Sequence, residues 1–506
     1  MEFQRRKIRK NLKRLNEIKN SFEKGEPFLP KKKLKITIKT PIIISLAIIL
    51  LLVIGTVKAL SHINLNVILK MAGEELLHDN LNHTNILVLG VGGENHDGGD
   101  LTDTIIVASI DNDNDLVTML SIPRDLYVED DIVGDSKINE IAFNATNHFG
   151  NSKDGIEHLK SKIEGIVGVP IHYWVKIDFA GFKDLVDALG GIDVDVPEGI
   201  YDPYYPKDGT YEYETFSISK GPNHLDGETA LKYARSRKTT SDFDRAERQQ
   251  QIIFAIKQKA LSTKTILDTE KIKNLLNALK NNIETNIKVN EIITFGSIAS
   301  EFGEGSILHR LIHDDPGQCG GLLYTPMRQY YYGMFVLIPA GGFDYIHLYA
   351  DLNFNHQLIS KENPTIHILN STKTPGVAAE TKQVLRRFCF DINRFGNGNN
   401  KDLKETTYYY KPLVDEEGKP TDEKPVSLDF LQKIIPGKAT DIIPEEYKEY
   451  MQEADILLDI GQDYVNSDKY IEDPYYYLPM VTPTPTSEEA GETTEETTNE
   501  LPPTES

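Results

Sequence analysis

Apolar positions along this chain fall into three regimes. Between Pro41 and Val57, seventeen consecutive residues carry no charge. From Asn85 onward, short apolar runs alternate with stretches of helical periodicity, and beyond about residue 481 apolar residues almost vanish. The middle regime predicts most of the structure. Asn85–Gly90, Thr104–Ile110 and Leu116–Ile122 are β-rich and bounded by turn residues, as buried strands are. The Asp111–Asp115 tract lacks the glycine and distal glutamate of a calcium loop and predicts a hairpin turn. Spacings of three and four predict helices over Asp154–Val167, with Ile156, Leu159, Ile163 and Ile166 inward, and over Phe179–Leu189, ended by Gly190 and Gly191. Gly191–Pro197 alternates like a strand, Asp242–Leu261 is helical, and Met334–Ala340 reads as an apolar strand. Strands alternating with helices predict an α/β domain over about residues 84–355, layered around one sheet. A smaller α/β unit starts at Pro364, with a strand at Thr365–Asn370, a turn at Pro375-Gly376 and a helix at Val377–Phe388, and extends to about 480. The Thr/Pro/Glu tail at 481–506 buries too little to fold.

Charge changes the picture at the N-terminus. Residues 1–40 hold fourteen Lys or Arg against four Glu, so the whole-chain charge of −22 leaves −32 on the rest. So acidic a body argues against nucleic acid, which demands a broad basic face. The apolar run beside the basic segment predicts an uncleaved transmembrane anchor at 41–60; forty preceding residues are too many for a signal peptide. The basic flank then stays cytoplasmic, and a stalk at 61–83 leads to domains outside the membrane. Cys319 and Cys389 are too few for a disulfide scaffold, and no Cys/His cluster suggests zinc. One bridge outside the membrane is open to them, but they fall in segments that read as separate, so none is assumed.

Candidate chemistry lies in four patches. They are Asp100-Leu-Thr-Asp103-Thr, Ser121-Ile-Pro-Arg124-Asp125, Lys137-Ile-Asn139, and Tyr233-Ala-Arg235-Ser-Arg237 followed by Asp242-Phe-Asp-Arg245-Ala-Glu-Arg248-Gln249. Arg235 and Arg237 would share one face of an extended strand. Arg245, Arg248 and Gln249 share a helix face. Five arginines among carboxylates suit a diphosphate, because guanidinium forks grip phosphate oxygens in pairs. Taken singly, Arg237, Asp244 or Glu247 reads better as surface salt bridging. Arg124 does not, since it ends an apolar strand.

These stretches, with Ala188-Leu-Gly-Gly-Ile-Asp193, resemble the signature of the LytR-CpsA-Psr family over about residues 84–355. Residues 364–410 resemble the smaller C-terminal domain that often follows it. The resemblance implies a three-layer α/β/α domain behind one N-terminal helix, plus the small C-terminal α/β domain. It implies a hydrophobic pocket for a polyprenyl tail, which the helix at Phe179–Leu189 would help line unless it simply packs in the core. It further implies Mg²⁺ (Mn²⁺ as the alternative) and transfer of a glycopolymer from polyprenyl diphosphate to a peptidoglycan hydroxyl. By motif, Asp103 would be the metal carboxylate. Arg124, Lys137, Arg235, Arg237, Arg245, Arg248 and Gln249 would contact the diphosphate, with Asp125 or Asp242 as general base. The chain departs from the family where Gly92 replaces a second metal carboxylate and Leu101 replaces an arginine; Asp97 or Asp100 would then supply the missing acid. A lipid-diphosphate hydrolase and a noncatalytic glycopolymer or lipid binder are the competing readings.

Overall fold

The computed structural model describes residues 74–93, 98–206, 212–236, 242–260, 283–303, 306–414, 419 and 421–478. The chain divides into two units, Met1–Val53 and Ile54–Ser506, and all described residues belong to the second. The expected anchor at 41–60, Asp97, Arg237 and the tail from 481 lie outside them. Among the described residues no helix is long and apolar enough to cross a membrane.

Six strands form the main sheet: β1 (His83–Val91), β2 (Thr102–Asp111), β3 (Leu116–Ser121), β4 (Tyr173–Asp178), β5 (Ile283–Thr285) and β6 (Ile307–Leu311), in the order β5-β4-β1-β2-β3-β6. β1 runs parallel to β4 and antiparallel to β2, and β3 runs antiparallel to β2 and parallel to β6. The β2–β3 connection is the expected hairpin: the Asp111 carboxylate accepts from the amides of Asp113 and Asn114. Among the described residues the helices that accompany the sheet include α1 (Ile138–Phe149), α2 (Ser152–Val167), α3 (Phe179–Ala188), α4 (Gly227–Arg235), α5 (Asp242–Ala260), α6 (Val289–Glu301) and α7 (Phe343–Asn355). Strand alternation decides which residues meet which helices. Leu87, Leu89, Ile105, Val107 and Leu120 pack into one buried cluster with residues of α1, α2 and α7. Their neighbours Ile86, Val88, Ile106, Ala108 and Met119 face the other way, toward Ile253 of α5 and Phe295 and Ile298 of α6. Helices therefore cover both faces.

Several elements differ from their sequence reading. Met334–Ala340 is not a continuous strand; only Ile338–Pro339 pairs, with Leu323–Tyr324. The preceding Leu337 exchanges backbone hydrogen bonds with Asp125 and Tyr127 instead. Arg235 ends a helix rather than sitting in a strand. The signal was there: Ala230, Leu231, Tyr233 and Ala234 are buried at helical spacing, and Asp226 caps the start by accepting from the Thr229 amide.

A second sheet belongs to the C-terminal unit. β7 (Thr365–Asn370), β8 (Asp391–Asn397), β9 (Thr407–Tyr410), β10 (Lys438–Thr440) and β11 (Ile456–Ile460) run in the order β8-β7-β11-β9-β10, with helix α8 (Val377–Arg387) between β7 and β8. The two cysteines, whose pairing the sequence left open, form a disulfide that links the region of this second sheet to the domain of the main sheet. Sequence separation hid the pairing, since 70 residues and a domain boundary lie between them. The Tyr349 hydroxyl of α7 lies 3.5 and 3.7 Å from the two sulfurs. Gly320, the next residue, has φ +85°, and a Cβ there would run into the Leu311 carbonyl. Beside it, buried Arg387 grips both carboxylate oxygens of Asp473 at 2.7 and 2.8 Å and donates to the Pro316 carbonyl.

Candidate functional site

The ends of β1, β3 and β4 and the start of β2 lie at one edge of the main sheet, because the first three are mutually parallel and β2 is antiparallel to them. Four of the sequence-selected residues, Asp103, Arg124, Asp125 and Lys137, converge there. Pro123 carries the chain out of β3, and Arg124 turns back so that its Nη1 donates to Asp103 Oδ1 at 2.7 Å. Its Nε lies 3.5 Å from Asp125. Asp125 also accepts from Lys137 Nζ at 2.7 Å, so one carboxylate holds two cations. The backbone ties these pieces together. Asn139 N donates to the Arg124 carbonyl, and Thr102 Oγ1 donates to the Asn139 carbonyl. The pairs stay within reach of solvent, with Asp103 and Arg124 31% and 25% exposed.

Arg235 joins from the C-terminal end of α4. Its guanidinium lies 4.3 Å from the centre of the Phe179 ring and 5.6 Å from that of Tyr205. Phe179 directly follows Asp178, the last residue of β4, which is in register with Val91 at the end of β1. The Asp178 carboxylate caps α3 by accepting from the Gly181 amide. Beneath Arg235, burial pushes the Tyr233 hydroxyl up to about 12, so it stays neutral and donates to Gln251.

Helix α5 is pinned to the same edge by a residue whose role the sequence reading missed. Gln250, 3% exposed, donates through Nε2 to Ser121 Oγ, at the end of β3, at 3.2 Å. Only its place beside Gln249 in the motif hinted at this. Arg245 and Gln249 are half-buried and four residues apart, on one side of the helix. Arg248 departs from the expectation of a diphosphate contact. It is 4% exposed and donates to the carbonyls of Tyr233 and Ser236, which fastens the end of α4 to α5. The helical three-residue spacing that seemed to align it with Arg245 turns it inward instead. The side chain of Asp242 lies outside the described residues, and Asp100 is an exposed residue of the turn before β2.

Phe182, expected at a lipid pocket, packs against the buried cluster around Val186, Ile192 and Tyr233. Half-buried apolar surface lies elsewhere, between the sheet and α5 and α6, where Ile86, Val88, Ala108, Ile253, Phe295, Ile298 and Phe302 are only partly covered.

Oxygen donors in this corner suit a hard cation. Asp103 supplies a carboxylate. Asn139 Oδ1, on the segment bonded to Thr102 and Arg124, is buried without a hydrogen-bond partner among the described residues. Those residues contain no cluster of three His, Cys, Asp or Glu side chains able to hold a metal by themselves. Mg²⁺ commonly needs only one or two carboxylates, completing its shell with water and substrate phosphate.

Family comparison agrees with this geometry. Residues 58–329 match the model of the LytR_cpsA_psr family, and the chain belongs to it. Residues 363–464 match a second family, described as LytR cell envelope-related transcriptional attenuator. Among curated relatives, the polyisoprenyl-teichoic acid–peptidoglycan teichoic acid transferase TagV of Bacillus subtilis is 36% identical over 234 residues, 46% of this chain and 55% of TagV. The corresponding TagU of Bacillus licheniformis is 30% identical over 248 residues, 49% of this chain and 73% of TagU. The chain thus spans little more than half the length of TagV. The crystal structure of B. subtilis TagV aligns with a TM-score of 0.41 at 28% identity, covering 55% of this chain and 99% of that one.

Proposed function

We propose that this protein transfers a glycopolymer from a polyprenyl-diphosphate carrier to a hydroxyl of peptidoglycan, working outside the membrane behind an N-terminal anchor. The observation that carries the reading is the Arg124–Asp103 pair, solvent-accessible at a sheet edge and joined through Asp125 to Lys137. Phosphoryl transfer asks a protein mainly for positioning and charge neutralisation. Arg124, Arg235, Arg245 and Gln249, with Arg237 from the motif, would bind the diphosphate oxygens. Lys137 would add a point charge, and Asp125 would hold Lys137 and Arg124 in place. Arg248 acts behind them, fixing α4 against α5. Asp103 and Asn139 would hold Mg²⁺, which supplies further neutralisation of phosphate charge when bound. The partly covered apolar surface between the sheet and α5 and α6 suits the polyprenyl tail, since it is the apolar surface of the domain with room for an apolar guest.

Three further observations support the reading. The curated relatives carry transferase names. The run at 41–57, beside a segment of charge +10, has the composition of an anchor with its basic side in the cytoplasm. The Cys319–Cys389 bridge suits an oxidising compartment.

Purified full-length protein, given lipid-linked glycopolymer, a glycan acceptor and Mg²⁺, should form the acceptor-linked product. Each arginine gripping a diphosphate contributes roughly 1.5–3 kcal/mol, so Arg124→Ala and Arg235→Ala should each slow transfer about tenfold to a hundredfold. Arg124→Lys should not rescue, because an ammonium lacks the planar fork. Release of free glycopolymer irrespective of acceptor would mark a hydrolase. Folded Arg124→Ala and Arg235→Ala proteins working at wild-type rate would remove the site altogether.

A further inference from the structure

On the α1 side of the sheet, next to the reacting corner, lies a cleft of about 160 Å³. Its walls come from Asp100 and Thr102 at the start of β2, Phe143, Thr146 and Asn147 on α1, and Ser152 at the start of α2. Lys176 of β4, paired with Glu284 of β5 at 2.8 Å, completes the lining. Thr102 donates to the Asn139 carbonyl and Asn139 N donates to the Arg124 carbonyl, so a wall of the cleft is tied to the segment that carries Arg124.

Phe143 is the odd residue of its helix. Ile138, Ile141, Ala142 and Ala145 make the buried apolar stripe of α1, and Ile138, Ile141 and Ala142 join the core cluster. Phe143 lies off that stripe and is 39% exposed. Thr146 and Asn147 follow it at spacings of three and four, which puts one aromatic ring, one hydroxyl and one amide on the same helix face. An aromatic floor with a few convergent polar groups is how proteins bind small polar rings. A cavity of about 150 Å³ holds a six-membered ring.

The position matters as much as the lining. In-line displacement at phosphorus requires the attacking oxygen and the leaving oxygen on opposite sides. If the polyprenyl tail lies on the α5–α6 face of the sheet, the attacking hydroxyl must arrive from the α1 side, where this cleft is. We propose that the cleft is the acceptor subsite and that it takes one amide-bearing pyranose unit of a glycan strand, stacked on Phe143 and hydrogen-bonded by Asn147 and Thr146. This assignment rests on the transferase reading above. A sugar hydroxyl seated there bonds to the phosphorus nearer the glycopolymer as the P–O bond to polyprenyl phosphate breaks. Its proton ends on the departing phosphate, so charge and atoms balance.

The probe is N,N′-diacetylchitobiose, titrated into detergent-solubilised full-length protein with no donor present. Wild type should bind it, and Phe143→Ala and Asn147→Ala should each weaken binding about tenfold or more with unchanged melting temperature. In the transfer assay both variants should raise the acceptor KM by a similar factor and leave the donor KM within about twofold. If wild type transfers normally and both variants keep the wild-type acceptor KM, the subsite is wrong and the transferase reading stands. If wild type binds the disaccharide through Phe143 but transfers nothing to any glycan, the sugar site stands and the transferase reading falls. Failure of wild type to bind the disaccharide at any attainable concentration, with unchanged acceptor KM in the variants, also overturns the subsite.

Discussion

The two faces of the main sheet are packed differently. On the α1–α2–α7 face, Leu87, Leu89, Ile105, Val107 and Leu120 are at most 2% exposed. On the α5–α6 face, Ile106 and Met119 are buried too, but Ile86, Val88 and Ala108, their neighbours in the sheet, are only partly covered. The closed face is sealed from both domains. Its cluster runs through Ile346 and Tyr349 of α7 into Val384 and Phe388 of the C-terminal unit without a break. The other face forms its own small cluster with α5 and α6. One face is built for stability and the other has apolar surface to spare. The difference is expressed most strongly in a core truncation. Leu89→Ala should cost about 2–5 kcal/mol in a urea melt, because the site cannot collapse around the lost atoms. Ile86→Ala, on the half-buried side, should cost clearly less. Equal costs would break the comparison.

Next in size is the disulfide that closes the sealed face. Cys319 and Cys389 enclose a long loop, with a separation of 70 residues, and joining them removes freedom from the unfolded chain. The double variant Cys319→Ser with Cys389→Ser should lose about 2–4 kcal/mol. Donor affinity should stay near wild type, since the bridge lies behind α7 and away from α5 and α6. A severalfold rise in donor KM would show that the two faces are coupled.

What was legible from sequence follows the same divide. β1, β2 and β3 could be read from their apolar runs, and α2 and α3 from their spacing. The asymmetry between faces could not. A strand apolar on both sides looks the same whether its cover is tight or loose, and Ile86 and Leu87 differ only in what packs on them. Arg124 was legible because it ends an apolar strand, and Asp103 and Lys137 because their motifs resemble the family's signature. The inward turn of Arg248 was not, since a helical spacing alone does not say which face meets the core. Gln250 was lost for the same reason. The disulfide needed three-dimensional proximity across a domain boundary, which neither cysteine's neighbours announce.

The smallest effect gives the cleanest test, because one substitution can be made on both faces. Val107 and Val88 lie in adjacent, paired strands, but Val107 is fully buried in the sealed cluster and Val88 only partly covered. Replacing valine by threonine keeps the shape and adds one hydroxyl. At Val107 that hydroxyl has neither water nor a free acceptor in an apolar cluster, so Val107→Thr should cost about 1–3 kcal/mol. At Val88 water or a neighbouring group can reach it, and the cost should stay within about 0.5 kcal/mol. The donor lipid reverses the order of sensitivity. A ligand at a hundred times its Kd stabilises the folded state by about 2.7 kcal/mol. Polyprenyl phosphate should therefore raise the melting temperature of wild type and of Val107→Thr alike, whereas Val88→Thr, with a polar group in the lipid's path, should gain less. If lipid protects Val88→Thr as fully as wild type, the half-buried face does not receive the tail, whatever its apolar character.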